Sequence, residues 1–558
     1  VFFMRRPLAG LISFAQRLTA GQVVLSIESV VLLASLFFAL FCNSLFLSGM
    51  LAGYDMALPG SWLLAASLLV VLVAVHFVLV GVVATRWTTK PLLALLFVVT
   101  AFAVHFMTRY KVFLDTAMLR NVLATDVREA RDLMTWSLIP QLLLYAGLPL
   151  WILSRIRLQQ RSIGRALLVR AGWLALALVV AGGAIFASFQ DIASLMRNNR
   201  ELRFLVTPAN YIYSLTQVAR SQAKEVDKVR EQVGADAVPG AGWAGRQKPV
   251  VMVMVLGETA RAANWGLSGY ARQTTPELAA EAGIINFADV SSCGTDTETS
   301  LPCIFSPWGR RAYDESRIRN SESVLDVVAR AGFRVVWVDN QSGCKGVCKG
   351  VESLRPDPAR SPEACAGGEC QDAALVDSLK QLVSETPGNL MIVLHQMGNH
   401  GPAYFKRYPD AFKQFTPACE DPDLPKCSNE SIVNAYDNAI RYTDHVIASL
   451  VRTLREHDAH DSALLYVSDH GESLGEKGLF LHGVPFKIAP DVQTKVPMVM
   501  WFSPGYRNSF ALDEGCVGRV AATPLSHDHI FHSLLGLLDV KTAVYAPDMD
   551  FSAKCRRP

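Results

Sequence analysis

Apolar residues are spread very unevenly along this chain. Before about residue 190 they run in five stretches, roughly 23–49, 61–84, 91–108, 136–154 and 168–189, each near the ~20 residues needed to cross a bilayer. From about residue 249 onward the pattern is that of a soluble domain. A mean hydropathy of +0.24 is the average of two unlike parts. The reading is therefore a five-span transmembrane domain over 1–190, an interfacial helix and linker over 191–248, and a folded domain over 249–558. The net charge of +3 is too small to point to nucleic acid, and no basic tract interleaved with aromatics occurs.

Positive charges near the spans set orientation. Arg5, Arg6 and Arg17 precede the first span, Arg86 and Lys90 separate the second and third, and Arg155, Arg157, Arg161 and Arg165 separate the fourth and fifth. With these segments cytoplasmic, the C-terminal domain is outside. The loop 109–135 resists the rule, because it carries Arg109, Lys111, Arg120, Arg128 and Arg131, although acids nearly balance them. Cysteines supply an independent test. Ten of the eleven lie in the C-terminal domain, and close pairs read as disulfides formed in an oxidising compartment: Cys293–Cys303, Cys344–Cys348, Cys365–Cys370 and Cys419–Cys427, with Cys516 and Cys555 left over as a fifth pair. A structural zinc site is the competing reading, but the paired C-x-x-C pattern is missing.

Three ionisable groups, Glu28, His76 and His105, fall within or beside the spans, either packed or functional. In the loop 109–135, Asn121, Thr125 and Glu129 recur every four residues, a polar stripe on a helix that either faces solvent or holds a polar headgroup. The segment 191–248 reads as an interfacial helix followed by the Gly/Pro-rich Val238-Pro239-Gly240-Ala241-Gly242, a flexible link. Beyond it, apolar runs at 250–256, 333–338, 390–394, 463–467 and 496–502 alternate with helical segments near 322–331, 373–385 and 430–455. That alternation predicts a mostly parallel sheet covered on both faces, with ligands at the carboxyl ends of its strands.

Candidate ligands sit at those ends. Glu258 follows one strand, His395 ends another with His400 close behind, Asp469 and His470 follow a third, and His482 comes twelve residues later. Each alone reads equally as a cap or a loop histidine. Together, Glu258, Asp469 and His470 are an oxygen/nitrogen donor set for Zn2+ with a fourth position open. The stretch Ser291–Cys303 brackets a run of hydroxyls and acids between two cysteines, either a stapled polar turn or the seat of a threonine nucleophile at a helix start.

Glu258-Thr259-Ala260-Arg261, Cys293-Gly294-Thr295-x-Thr297-x-x-Ser300-x-Pro302-Cys303, His400-Gly401-Pro402 and Ser468-Asp469-His470-Gly471-Glu472-Ser473-Leu474-Gly475-Glu476 resemble the motifs of the lipid A phosphoethanolamine transferases, which include the mobile colistin resistance enzymes. The likeness covers essentially the whole chain: five spans followed by an alkaline phosphatase-like (sulfatase-like) α/β domain. It implies that Thr297 is the nucleophile, that Glu258, Thr297, Asp469 and His470 hold one zinc firmly, and that His400 and His482 hold a second zinc or the transferred phosphate. It further implies that Lys345 contacts phosphate and that Asn121, Thr125 and Glu129 receive the phosphoethanolamine headgroup. The implied reaction moves phosphoethanolamine from phosphatidylethanolamine through a phosphoethanolamine-threonine intermediate to a lipid A phosphate, by a monomer in the bacterial inner membrane with a periplasmic catalytic domain. The modified lipid carries less negative charge and binds polymyxin less well. Asp296 and Glu298 depart from close relatives and put two acids beside the nucleophile. Rival readings are a relative with another acceptor (a core sugar or glycan), a phospholipid phosphodiesterase, a sulfatase, and a membrane sensor with structural metal. No Cys/Ser-x-Pro-x-Arg stretch exists to support the sulfatase.

Overall fold

The computed structural model describes residues 23–125, 127–225, 229–244, 246–366 and 368–556, with the backbone alone for 127–129 and 223–225. Arg5, Arg6, Arg17 and the side chains of Arg128 and Glu129, to which the sequence assigns roles, lie outside what is described. The chain divides into two compact units, Val1–Leu119 with Met134–Val218, and Arg120–Leu133 with Ala219–Pro558.

In the first unit, among the described residues, Pro59–Gly81, Thr89–Tyr110, Leu138–Arg155 and Ile163–Ala187 are long and apolar enough to cross a membrane. The pair Ile27–Phe41 and Ser44–Leu51 is apolar enough to make a fifth if counted as one span, but it is bent by 55° rather than running straight through 23–49, the form of a broken span or a re-entrant loop. The bend has an identifiable cause. Asn43, fully buried, donates to the Phe38 carbonyl (2.8 Å) and the Thr207 carbonyl (2.7 Å) and accepts from the Thr207 N–H (2.9 Å), so its side chain competes with the helical ladder. Two of the ionisable groups in the apolar helices have partners: Glu28 accepts from Arg161 (2.8 Å), and His105 bonds Gln141 (2.7 Å).

The second unit is built on an eight-stranded sheet: β1 Val250–Gly257, β2 Ile285–Ser291, β3 Arg334–Asp339, β4 Glu352–Leu354, β5 Leu390–His395, β6 Asp461–Ser468, β7 Lys495–Phe502 and β8 Pro524–Ser526. Their spatial order is β8-β2-β7-β6-β1-β5-β3-β4. Only β7 runs against its neighbours, β2 and β6; the other pairings are parallel. Every residue of β1 is buried. Val250, Met252, Met254 and Leu256 enter one core with the helices Val324–Arg330 and Ile530–Leu537, while Val251, Val253 and Val255 enter the other with Ala373–Glu385 and Asn429–Glu456. An unbroken apolar run suits this central position, because side chains alternate to two covered faces. At about 1.5–3 kcal/mol per buried large aliphatic side chain, the strand is a strong organiser of the domain.

All five cysteine pairs form disulfides, Cys516–Cys555 included, and Cys42 is the free cysteine among the described residues. The expected flexible link is a correction. Val238–Pro239 pairs with Val540–Lys541, the Gly240 N–H donates to the Asp539 carbonyl (2.7 Å), and Arg230 grips Asp326 with two hydrogen bonds of 2.8 and 2.9 Å. Glycine and proline here shape a docked edge segment instead of a free tether.

Candidate active site

Three strands deliver side chains to one end of the sheet. β1 ends at Gly257 and turns sharply, with Thr259 at φ +52, a costly conformation for a β-branched residue. Gly398, also at φ +52, lies against this turn: a Cβ there would come within 2.7 Å of the Glu258 carbonyl oxygen. β6 ends at Ser468, and Asp469 and His470 follow directly. After β2 the chain enters the loop closed by Cys293–Cys303, where Asp296 caps the helix Thr297–Ile304 by accepting from the Thr299 N–H (2.9 Å). Thr297 is thereby fixed in the first helical position, where the helix dipole favours negative charge. Thr295 ties down the loop that carries His482, donating to the Val484 carbonyl (2.7 Å) while its own carbonyl accepts from Gly483 (2.8 Å).

Thr297 Oγ1 lies 3.1 Å from both carboxylate oxygens of Glu258 and 3.3 Å from His470 Nε2. His470 Nε2 is in turn 3.4 Å from Glu258 Oε1 and 3.3 Å from Asp469 Oδ2. A contact of 2.9 Å between His470 Nδ1 and the Gly471 carbonyl requires the proton on Nδ1 and turns Nε2 toward the carboxylates. Asp469 Oδ1 accepts from the Thr259 N–H (3.1 Å) and the His470 N–H (2.7 Å). Asp469 Oδ2, by contrast, is buried without a hydrogen bond. The four side chains are buried, with Thr297 the most exposed at 6%.

Two carboxylates packed in a dry site repel each other, and their titration reflects it. Burial and the charge of Glu258 push Asp469 up to about 6. Burial acts to raise Glu258 as well, yet the hydrogen bond and charge of His470 leave it below the ordinary range. His470 goes up to about 10, because the two carboxylates outweigh the burial that disfavours its cation. Glu258, Asp469 and His470 offer ligand atoms within 4.8 Å of one another. The clustered carboxylates, the unsatisfied Asp469 Oδ2 and the imidazole nitrogen His470 Nε2 turned toward them fit a divalent cation.

The other residues named from the sequence fall at varying distances from this cluster. The rings of His470 and His482 are 4.4 Å apart, and those of His482 and His400 are 5.9 Å apart. His482 Nδ1 is fixed by Glu472 (2.9 Å). Lys345 Nζ bonds Ser342 Oγ (2.8 Å) and borders a separate cavity of about 50 Å³ near Pro302 and Arg319. Thr125 donates to the Asn121 carbonyl (2.7 Å), and neither side chain bonds the Glu258–Thr297 cluster among the described residues. The two acids beside the nucleophile are accounted for: Asp296 is the cap, and Glu298 pairs with Arg319 at 2.9 Å.

Sequence reasoning missed Gln341, whose Nε2 donates to Glu258 Oε2 (3.0 Å). Its place two residues past the end of β3 was a signal of the same kind as the others. It also missed the buried pair His395–Asp339 (2.8 Å), in which His395 Nε2 has no hydrogen bond.

Two family models match: sulfatase over residues 251–540, and the phosphoethanolamine transferase EptA/EptB N-terminal region over 72–223. The phosphoethanolamine transferase EptA of Escherichia coli K12 is 35% identical over 543 residues, covering 96% of this chain and 98% of that protein. The phosphatidylethanolamine transferase Mcr-1 of Escherichia coli is 37% identical over 465 residues, covering 82% and 84%. The solved structure of the integral membrane protein lipooligosaccharide phosphoethanolamine transferase A from Neisseria meningitidis is similar with a TM-score of 0.90 at 36% identity, covering 96% of this chain and 100% of that one. On identity and coverage of both its parts, the chain belongs to the EptA family of phosphoethanolamine transferases.

Proposed function

We propose that this protein transfers phosphoethanolamine from phosphatidylethanolamine to a phosphate of lipid A, with Thr297 as the group that carries it between the two lipids. The observation that supports this most is the placement of Thr297 Oγ1 at a helix start, 3.1 Å from both oxygens of Glu258 and 3.3 Å from His470 Nε2. The chain is a multi-pass inner-membrane protein with its catalytic domain in the periplasm. The positive residues between its apolar helices, the five disulfides, and the integral membrane nature of the Neisseria relative agree on that.

Glu258, Asp469 and His470 would hold zinc with Thr297, and His400 and His482 would hold a second ion or the phosphate. Such an ion lowers the pKa of the threonine hydroxyl and neutralises charge on the phosphoryl oxygens. The chain's own residues do the rest. Glu258 takes the hydrogen bond of the Thr297 hydroxyl and aims its oxygen. In the first half-reaction Thr297 Oγ1 bonds to the phosphorus of phosphatidylethanolamine and diacylglycerol leaves with a proton. In the second, a lipid A phosphate oxygen bonds to that phosphorus and Thr297 recovers its hydroxyl. His400 and His482, with rings 5.9 Å apart, flank the space where the phosphoryl oxygens would lie. Arg319 keeps the Glu298 charge from opposing the developing alkoxide.

An added ammonium on lipid A reduces surface charge, so cells making the protein should resist polymyxin. Mass spectrometry of lipid A from cells with and without the protein tests the proposal. A gain of one phosphoethanolamine supports it. Unchanged lipid A with a modified core sugar moves the acceptor elsewhere.

A further inference from the structure

After the helix Thr297–Ile304 the chain turns back on itself. Gly309 has φ +56, and a Cβ there would come within 2.4 Å of Asp528 Oδ1, so the turn suits glycine. The next two N–H groups, of Arg310 and Arg311, donate to the Asp528 carboxylate at 2.5 and 3.0 Å. The neighbouring His527 accepts from the Cys293 N–H (3.0 Å), and Cys293 opens the disulfide-closed loop that leads to Thr297. Arg310 is thereby returned beside the start of the helix it followed, close enough for the charge of the capping Asp296 to act on it.

The loop after His482 meets it there. Val484 is held by the Thr295 hydroxyl (2.7 Å), and two residues on, the Phe486 ring lies under the Arg310 guanidinium, 4.0 Å from carbon to ring centre; the Tyr313 ring is 5.0 Å away. Contact with a ring fixes the guanidinium without using its N–H donors. Arg310 is half-buried and makes no ion pair among the described residues. The two carboxylates whose charge reaches it are taken by backbone N–H groups, Asp528 as above and Asp296 by Thr299 (2.9 Å). Arg311 and Lys487, next to these residues in sequence, add exposed positive charge. None of them lines the cavity of about 370 Å³ that Gln341 and His400 border, so this is a separate flank of the Thr297 cluster. A phosphate monoester carries about 1.5–2 negative charges at neutral pH and must approach a phosphorus that already bears anionic oxygens. A preset guanidinium fork matches two of its oxygens and offsets that repulsion, whereas an ammonium would be repelled.

We propose that Arg310, held over Phe486, receives the phosphate of the acceptor lipid. The inference rests on the functional reading above and adds a specificity-determining residue and the flank from which the acceptor comes. In the step it serves, an oxygen of the acceptor's phosphate monoester forms a bond to the phosphorus carried by Thr297. The bond from phosphorus to Thr297 Oγ1 breaks, its electron pair stays on that oxygen, and the oxygen takes one proton from solvent. The product is a diphosphate ester of the lipid sugar and ethanolamine.

The test uses full-length protein in detergent, first charged with labelled phosphatidylethanolamine and then discharged by lipid A in mixed micelles over a range of concentrations. Arg310→Ala and Arg310→Gln should each raise the half-saturating lipid A concentration roughly tenfold or more, the loss of a charge-assisted contact, with Arg310→Lys in between. The loss should fall on the concentration dependence of discharge and not on charging. Binding of lipid A to uncharged protein gives a second readout: removing the lipid's phosphates should weaken binding about tenfold when Arg310 is present and less than threefold in Arg310→Gln. The proposal is overturned if both variants half-saturate within twofold of wild type, if charging falls as much as discharge, or if dephosphorylation weakens binding equally with and without Arg310. Wild-type protein that never acquires the group on Thr297 overturns the functional reading itself, a result distinct from any of these.

Discussion

Gln341 offers a quantitative test of the metal centre that leaves every supposed ligand in place. Its amide donates to Glu258 Oε2 at 3.0 Å, and Glu258 is fully buried, so the bond holds an ionised carboxylate in one orientation. A hydrogen bond to a charged group is worth about 1.5–3 kcal/mol, which corresponds to roughly 10- to 150-fold in an equilibrium constant. Gln341 lines the 370 Å³ cavity, so water can reach the space an alanine leaves and recover part of the loss. Gln341→Ala should therefore weaken zinc binding about 10- to 30-fold, in the range typical for partners that orient metal ligands. Gln341→Leu, which fills the space without donating, should lose more. The assay is competition for zinc with a chelating dye, on full-length protein in detergent. A zinc affinity within twofold of wild type in both variants, with Glu258→Ala still abolishing binding, would refute the reasoning.

Three further outcomes are expected. Thr297→Ala should abolish transfer with the thermal unfolding midpoint unchanged, whereas Thr295→Ala, which loses one hydrogen bond to the His482 loop, should keep partial activity; equal partial losses would identify another nucleophile. Replacing Cys293 and Cys303 by serine opens a ten-residue loop, so stability should fall by about 2–3 kcal/mol and activity with it, since Thr297 lies inside that loop; denaturant titration alongside a transfer assay checks both. Burial pushes Asp444 up to about 7 from an ordinary 3.8. Between those values the folded state holds a proton that the unfolded chain has lost, so this contribution to stability is complete below about pH 4 and is lost as pH rises through about 7. Asp444→Asn should flatten the dependence of the unfolding midpoint between pH 5 and pH 8; an unchanged slope would show that the group does not titrate there.

Much of this was legible in the residues, and the reasons are physical. The apolar runs that became β1, β5 and β6 are buried on both faces, and a parallel sheet must present its loops at one end, which is why Glu258, Asp469 and His470 could be grouped from sequence. Contacts that depend on spatial neighbours could not be read this way. Gln341 reaches Glu258 because β5 alone separates β3 from β1, an order no local pattern encodes. The bend at Asn43 was hidden for the same reason, since its partner Thr207 is 164 positions away. The supposed flexible link misled because glycine and proline mark a docked edge as readily as a tether, and only the pairing with Val540–Lys541 separates the two. The sequence leaves open whether the acids flanking Thr297 oppose an alkoxide or meet the ethanolamine ammonium, because the partner of Glu298, Arg319, lies 21 residues downstream.

The account turns on whether Thr297 itself carries the group between lipids. Mass analysis of the intact protein after incubation with phosphatidylethanolamine and no acceptor, followed by fragmentation to locate the modification, asks this directly. The account predicts one phosphoethanolamine, on Thr297, that disappears when acceptor is added. A modification on another residue, or none while transfer to acceptor proceeds, would contradict it.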